Sequence, residues 1–187
     1  MAYKVNEADM AFMPIANIDL GYSVPVNVSA GSATTIPTPP LVLGQVVRAS
    51  DPVYGSGEFI CLQGVASTVI GSVVTWAGVN STAAQPFQTE LAAATANQGA
   101  PLAVAMAATL AGQYGWYQIQ GNAVCATNGT LAAGPAKVYL AGSGQLTSAQ
   151  ANGAEMVNAI NVSATGTPAA GQAIVSINRP FAQGQVV

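Results

Sequence analysis

The side chains that could do chemistry in this chain are its two cysteines, Cys61 and Cys125, and a few scattered carboxylates. The sequence has no histidine, the commonest general base and metal ligand in proteins. A cysteine nucleophile needs a base that forms its thiolate, and neither cysteine has a candidate. A two-carboxylate mechanism would have to pair Glu58, Glu90 or Glu155 across the fold, and no motif positions them. The sequence therefore predicts a protein that is not an enzyme and that uses no cofactor and no metal.

Two short glycine motifs raise the question of a phosphate site. They are Gly55-Ser56-Gly57 and Gly142-Ser143-Gly144, and both lack the third glycine, the following helix and the Lys-Ser/Thr pair of phosphate-binding loops. We interpret both as hairpin turns, for which Gly and Ser are typical.

A cluster of aromatic residues, Tyr114, Trp116 and Tyr117, offers the clearest candidate for binding. Exposed together in a pocket, these rings could stack on the face of a sugar. The sequence favours a core or interface anchor instead, because aromatic side chains dominate burial in such strands. We expect Trp116 and Tyr114 to anchor a contact between subunits.

The composition restricts the classes of partner. Charged residues make up only 6% of the chain, against about 25% in a typical soluble domain. A surface of small uncharged residues is easily desolvated, which suits a protein covered by its own copies or by a larger assembly; a low-charge monomer is the alternative. The four cations, Lys4, Arg48, Lys137 and Arg179, are far apart, so we expect no nucleic-acid partner.

Nothing in the sequence indicates secretion or a membrane. Glu7 and Asp9 stand where a secretory signal has its apolar segment, so we expect a chain that begins near Met1 and is made in a cytosol. Two lone cysteines are then reduced and buried, although a disulfide between them remains geometrically possible. The uncharged stretch Phe59–Val79 contains three glycines and β-branched runs, which fits two strands better than a membrane span.

The stretch Gln113–Val124 is the clearest structural element. Read with period two, it sends Tyr117, Ile119, Gly121 and Ala123 to one side, which is the pattern of a half-buried strand. Gly121 within it marks a turn or a bulge. We expect the rest of the fold to pack around this strand.

Other segments are short and are separated by Gly, Pro and Asn. Gln88–Ala96 contains good helix formers after Thr89, a possible cap, so it predicts a short helix or otherwise a surface loop. The remaining apolar runs predict strands, for a total of about nine or ten at spacings of roughly 8–15 residues, as in a β-sandwich or barrel. These runs are Leu41–Arg48, Phe59–Leu62, Ser72–Trp76, Pro101–Ala107, Pro135–Leu140, Gln145–Thr147, Met156–Val162 and Ala173–Asn178.

The first forty residues differ from the remainder and predict an extended arm, residues 1–40, before an all-β core, residues 41–187. Five of the eleven prolines lie in the arm, and prolines exclude a central strand or a long helix. Val24–Val28 could still pair at a sheet edge. The apolar residues Met10, Phe12 and Met13 have no helical spacing. We expect them to anchor the arm, either by folding back onto the core, which we favour, or on a neighbouring subunit.

The order of several phrases resembles the capsid decoration, or cement, proteins of tailed bacteriophages. The phrases are LGQVVRASDPVYGSGEFICLQGVAS, GSVVTW, APLAVAMA, AGQYGWYQIQGNAV, NGTLAAGPAKVYLAGSGQLTS and AIVSINRPFAQG, and they span about residues 41–184. The resemblance implies a single all-β, barrel- or sandwich-like (tulip-like) domain that forms homo-oligomers, often trimers. It also implies a position on the outside of the phage head, where major capsid protein subunits meet.

We therefore expect a structural virion protein that is made in the host cytoplasm and stabilises the lattice of the major capsid protein. The same composition would serve another phage part, such as a head fibre, spike or tail component. A carbohydrate-binding module that uses the aromatic cluster is a third possibility.

Overall fold

The computed structural model describes residues 24–25, 42–76, 87–95 and 99–184. Within these ranges the chain forms eleven β-strands and no helix, so the predicted all-β class is confirmed. The strands are β1 (Val24–Pro25), β2 (Val46–Asp51), β3 (Gly55–Gln63), β4 (Val73–Thr75), β5 (Glu90–Leu91), β6 (Leu102–Ala105), β7 (Gln113–Ala126), β8 (Tyr139–Gly142), β9 (Gln145–Thr147), β10 (Met156–Asn161) and β11 (Gln172–Ala182).

Nine of the strands form one antiparallel sheet around β7, as the sequence predicted for this strand. Gln120 of β7 pairs with Glu58 of β3 and with Asn178 of β11, so these two strands lie on opposite edges of β7. The edge that β11 uses is shared with β6 and β1 further toward the start of β7. The main path runs β10-β11-β7-β6-β4-β5, and β2 extends the sheet beyond β3.

A β-bulge in β7 divides the sheet into two halves. Phe59 pairs with Gln118 and Glu58 with Gln120, so Ile119 has no partner on β3. One extra residue reverses the sides to which later side chains point. The predicted bulge is thus confirmed, but the expectation that Tyr117 and Ala123 share a side is wrong: they belong to separate apolar clusters.

The main core lies between this sheet and a smaller one, the β8–β9 hairpin. Leu140 and Leu146 of the hairpin are fully buried against Cys125, Val175 and other small apolar residues of the second half of the large sheet. The predicted turn around Gly142-Ser143-Gly144 is confirmed, because Ser143 and Gly144 both adopt the positive φ that such tight turns require. Two packed sheets give a sandwich-like arrangement. In the described residues no closed barrel forms.

The first half of the sheet buries apolar residues on both faces. Tyr117, Ile119 and Ile60 form a cluster on one face, which we call the pocket face. Trp116 packs with Phe59 on the opposite face. Val104, which belongs to the main core, pairs with Gln118 on that second face. The main core and the pocket face therefore lie on opposite sides of the sheet.

The segment predicted as a short helix or a surface loop has a different structure. Glu90–Leu91 forms β5 and pairs with β4, and residues 92–95 have no regular structure. The Thr89 hydroxyl, expected to cap a helix, instead donates to the Gln63 carbonyl, which also accepts from the Thr89 N–H. Pairing with distant strands therefore outweighs the local helix propensity.

Most of the predicted arm, including Met10, Phe12 and Met13, lies outside the described residues. The exception is Val24–Pro25, which pairs antiparallel to β7 and confirms the expected edge pairing for these two residues. Phe59–Val79 forms strands β3 and β4 in its described part rather than an apolar span. Across the described chain, no helix is long and apolar enough to cross a membrane.

Candidate functional site

The most charged site of the described chain is a cluster of three side chains on three strands. Glu58 of β3 accepts from Arg48 Nε at 3.1 Å and from Arg179 Nη2 at 2.7 Å. The Glu58 side chain is 10% exposed, whereas both arginines are about two-thirds exposed. Burial by itself raises the pKa of Glu58, but the hydrogen bonds and charges of Arg179 and Arg48 outweigh it and hold that pKa below its ordinary value.

This cluster was not predicted from the sequence, although the pairing of Arg48 with Glu58 could have been predicted. The turn at Asp51-Pro52 makes β2 and β3 a hairpin in which Arg48 stands directly opposite Glu58. Arg179 follows 121 residues after Glu58 and reaches it only because β11 joins the sheet. No local pattern indicates that contact.

The carboxylates that a two-carboxylate mechanism would need are distributed over different elements. Glu58 lies in β3, Glu90 in β5 and Glu155 directly before β10. Glu155 forms an ion pair with Lys137 at 3.0 Å, so it and Glu58 are both paired with cations. Among the described residues, no group of three or more histidine, cysteine or acidic side chains could hold a metal ion.

Both cysteines are free thiols inside the fold. Cys61 packs with Trp116 and Phe59, and Cys125 lies in the main core, so the two belong to different apolar clusters. Burial raises the pKa of Cys61 to about 11 and that of Cys125 to about 12. Since the thiolate is the nucleophile, neither cysteine is activated at neutral pH. The predicted state, reduced and buried, is the one the structure shows.

The aromatic cluster is divided between the two faces of the sheet. Trp116 and Tyr117 are 2% and 0% exposed, and the Tyr117 hydroxyl shares a 3.2 Å hydrogen bond with Thr109. Tyr114 is also buried, at 8%. The rings do not line one open surface for a sugar. They are anchors of the chain's own core, and little of their surface is left for the predicted subunit contact.

An exposed apolar surface lies elsewhere, on the second half of the sheet. Ile160 lies on β10 and is 50% exposed, and Val162, directly after β10, is 48% exposed. Phe181 of β11 is 39% exposed. Ile160 pairs with the exposed Ser176, and Phe181 pairs with Val157, so these side chains share one face. We call Val157, Ile160, Val162, Ile174, Ser176 and Phe181 the outer face. It carries no charged side chain among these six residues.

An apolar pocket opens on the pocket face of the first half of the sheet. It has a volume of about 250 Å³ and is walled by apolar side chains, with Arg179 of the charged cluster at its side. The lining residues are Val46, Ile60, Trp76, Pro101, Leu102, Ile119, Arg179 and Pro180.

Comparisons with protein-family models, with curated proteins and with solved structures found no match to this chain.

Proposed function

We propose that this chain is a structural virion protein, a capsid decoration (cement) protein of a tailed bacteriophage. It binds the outside of the head and stabilises the lattice of the major capsid protein. The resemblance of the sequence phrases given above suggests the family, and the outer face is a surface that could contact the capsid. The proposal also includes self-association as a homotrimer and a virion location.

The uncharged outer face is the observation that carries this proposal. Five of the six outer-face residues are apolar, and the sixth, Ser176, together with the neighbouring exposed Asn178, interrupts the apolar area. Obligate subunit interfaces resemble a domain core, whereas surfaces that must first exist free in solution are about as polar as the rest of a protein. The outer face therefore suits a partner that arrives later, and we assign it to the capsid contact.

The mechanism is thermodynamic linkage. A protein that binds only the assembled, expanded shell stabilises that state by an amount set by its concentration relative to its dissociation constant. Desolvating this face costs little because no ion loses its hydration. This mechanism needs no catalytic group.

The test uses expanded heads assembled from the major capsid protein of the same phage genome. We expect the full chain to co-sediment with these heads in many copies, and the variant Ile160→Asp to lose binding because a buried unpaired carboxylate is costly. Leu110→Asp is the matched control, since Leu110 is 64% exposed and lies before β7 rather than on the outer face.

Native mass by light scattering at several concentrations distinguishes self-association of the chain from its binding to the head. A stable three-fold multiple of 18.6 kDa supports the trimer, and Ile160→Asp should leave that mass unchanged. Wild-type protein that fails to pellet with the heads, or pellets in only a few copies per particle, contradicts the decoration role.

A further inference from the structure

The apolar pocket forms where two strands exchange places along one edge of β7. On that edge β6 pairs as far as Gln118 and β11 pairs from Gln120 onward, so Ile119 lies between the two. On the opposite edge, β3 also skips Ile119 at the bulge. Further along, β6 and β11 approach each other again, because the Ala182 N–H donates to the Ala100 carbonyl at 2.8 Å. Strand pairing therefore fixes the pocket before any ligand arrives, as is usual for small-molecule sites.

The wall of the pocket is apolar, and its volume is that of a site for a small molecule. Ile60 and Ile119 are buried, Trp76 is partly buried, and Val46 of the outer strand β2 is 41% exposed. The volume of about 250 Å³ exceeds the roughly 150 Å³ that holds a benzene molecule in an apolar protein cavity. The pocket therefore has room for one ring with a short alkyl chain, but not for a long lipid tail.

The charged cluster gives this apolar site one positive side. Arg48 and Glu58 stand two residues from Val46 and Ile60 on paired strands, so the four side chains share a face. Glu58 accepts from Arg48 at 3.1 Å and from Arg179 at 2.7 Å, so two cations share one anion and the cluster has a net charge of +1. Among the described residues that line the pocket, Arg179 is the only charged one.

The geometry of Arg179 selects the charged group of a matching ligand. A guanidinium presents five N–H groups in a planar fork, and Glu58 accepts from one of its nitrogens. The Arg179 side chain is 65% exposed, so its solvent side is open to the two oxygens of a second carboxylate. A cationic ligand would instead meet like charge. The matching ligand therefore has a small apolar body and one carboxylate.

We propose that this pocket binds a small aryl or short alkyl carboxylate, with the apolar body against Ile60, Ile119 and Trp76 and the carboxylate on Arg179. Burial of the body supplies affinity, and the pairing of the acid group with Arg179 supplies specificity. The site is separate from the outer face, because none of the six residues of that face is among the lining residues. The inference is therefore independent of the proposed capsid function.

Trp76 in the pocket wall reports binding to the full chain, and the probe is hydrocinnamate, a phenyl ring on a short alkyl chain with one carboxylate. The chain's other tryptophan, Trp116, is 2% exposed on the opposite face, so acrylamide quenching reports mainly on Trp76. We expect hydrocinnamate to reduce this quenching in a saturable way, with a dissociation constant on the order of 1 mM for a ligand of this size. Quenching that is unchanged well above that concentration overturns the proposal.

The contribution of Arg179 is measured by comparing the acid with its neutral amide, hydrocinnamamide. We expect the wild type to bind the acid about tenfold more tightly than the amide. In Arg179→Gln the two ligands should bind alike, because the apolar wall remains and the cation is gone. Lys137→Gln, which also removes an exposed cation paired with a glutamate, should keep the preference for the acid. A preference that survives in folded Arg179→Gln, as judged by far-ultraviolet circular dichroism, overturns the proposal.

Val46→Asp tests the same site while leaving Arg179 in place. Val46 is partly exposed on the outer strand, so the fold accepts a carboxylate there, and this carboxylate opposes the negative charge of the ligand. We expect hydrocinnamate to bind about fivefold more weakly, with a smaller effect on the amide. Val53→Asp is the matched control, because Val53 is 77% exposed and is not among the lining residues, and it should bind both ligands as the wild type does. Equal weakening by the two variants overturns the proposal, because the ligand then responds to the charge of the protein and not to this pocket.

Discussion

At the scale of single residues, Glu58 joins three strands of the large sheet through its two arginines. Glu58→Gln keeps the size of the side chain but removes its charge. Hydrogen bonds to charged groups contribute about 1.5–3 kcal/mol to stability, and solvent around the exposed arginine side chains weakens them here. We therefore expect Glu58→Gln to lower the free energy of unfolding by about 1–2 kcal/mol at neutral pH. Urea unfolding of both proteins measures it.

The pH dependence of that difference has a defined sign. The folded pKa of Glu58 is lowered from an ordinary value of 4.5, so its contribution is fully present above pH 4.5 and is lost as the pH falls through the folded value. Wild type and Glu58→Gln should therefore converge in stability as the pH drops below 4.5. Glu155→Gln, which removes the ion pair with the exposed Lys137, is expected to cost less than Glu58→Gln, because solvent screens that pair. A gap between wild type and Glu58→Gln that is constant with pH would contradict the role of this charge.

At the scale of elements, the bulge of β7 depends on Gly121. Its φ is +103°, and a Cβ placed there would lie 2.5 Å from the Ser56 carbonyl oxygen. Gly121→Ala therefore combines backbone strain with a clash against β3. Gly134 has a similar φ of +110° and open space around it, so Gly134→Ala carries the strain alone.

We expect Gly121→Ala to destabilise the fold by more than Gly134→Ala, whose cost of about 1–2 kcal/mol comes from the left-handed backbone. Thermal unfolding followed by circular dichroism compares the two. Equal losses for both variants would mean that β3 moves away without cost and that the close approach at Ser56 is not a constraint.

The strands that the sequence predicted well are those whose side chains alternate in a half-buried sheet. β7 was predicted over Gln113–Val124 and extends to Ala126. β11 was predicted over Ala173–Asn178 but runs from Gln172 to Ala182, because pairing with β10 resumes at Phe181 after Arg179, whose φ is positive. The position of the bulge was visible as Gly121, whereas its consequence, the reversal of sides after Ile119, depends on register with β3.

The failures arise where distant contacts decide the structure. The segment Gln88–Ala96 favours a short helix locally, with Thr89 as a possible cap. Hydrogen bonds of Thr89 to Gln63 and pairing of Glu90 with β4 give these two residues an extended backbone instead. The aromatic residues were predicted as core or interface anchors, and the structure buries them. Sequence patterns do not distinguish the chain's own core from a contact with another subunit. Ile160 and Phe181 are exposed in the structure. Both are residue types typical of a core, so the sequence did not indicate that they lie on the surface.

At the scale of the whole molecule, β7 carries side chains of all three apolar clusters. Its first half carries Trp116 and Tyr117, and its second half carries Ala123 and Cys125 in the main core. Both tryptophans lie outside the main core. Tryptophan fluorescence therefore reports on one half of the sheet while a mutation can be placed in the other.

We expect Val175→Ala to lower the unfolding midpoint seen by tryptophan fluorescence, although Val175 lies in the main core. The substitution removes buried carbons at a position with no exposed area and should cost about 1–3 kcal/mol. If β7 makes the two halves one cooperative unit, fluorescence and far-ultraviolet circular dichroism shift together by the same amount. Ser176→Ala, on the exposed side of the same strand, should change neither. A fluorescence transition that stays in place while circular dichroism shifts would show instead that the two halves unfold separately on either side of the bulge.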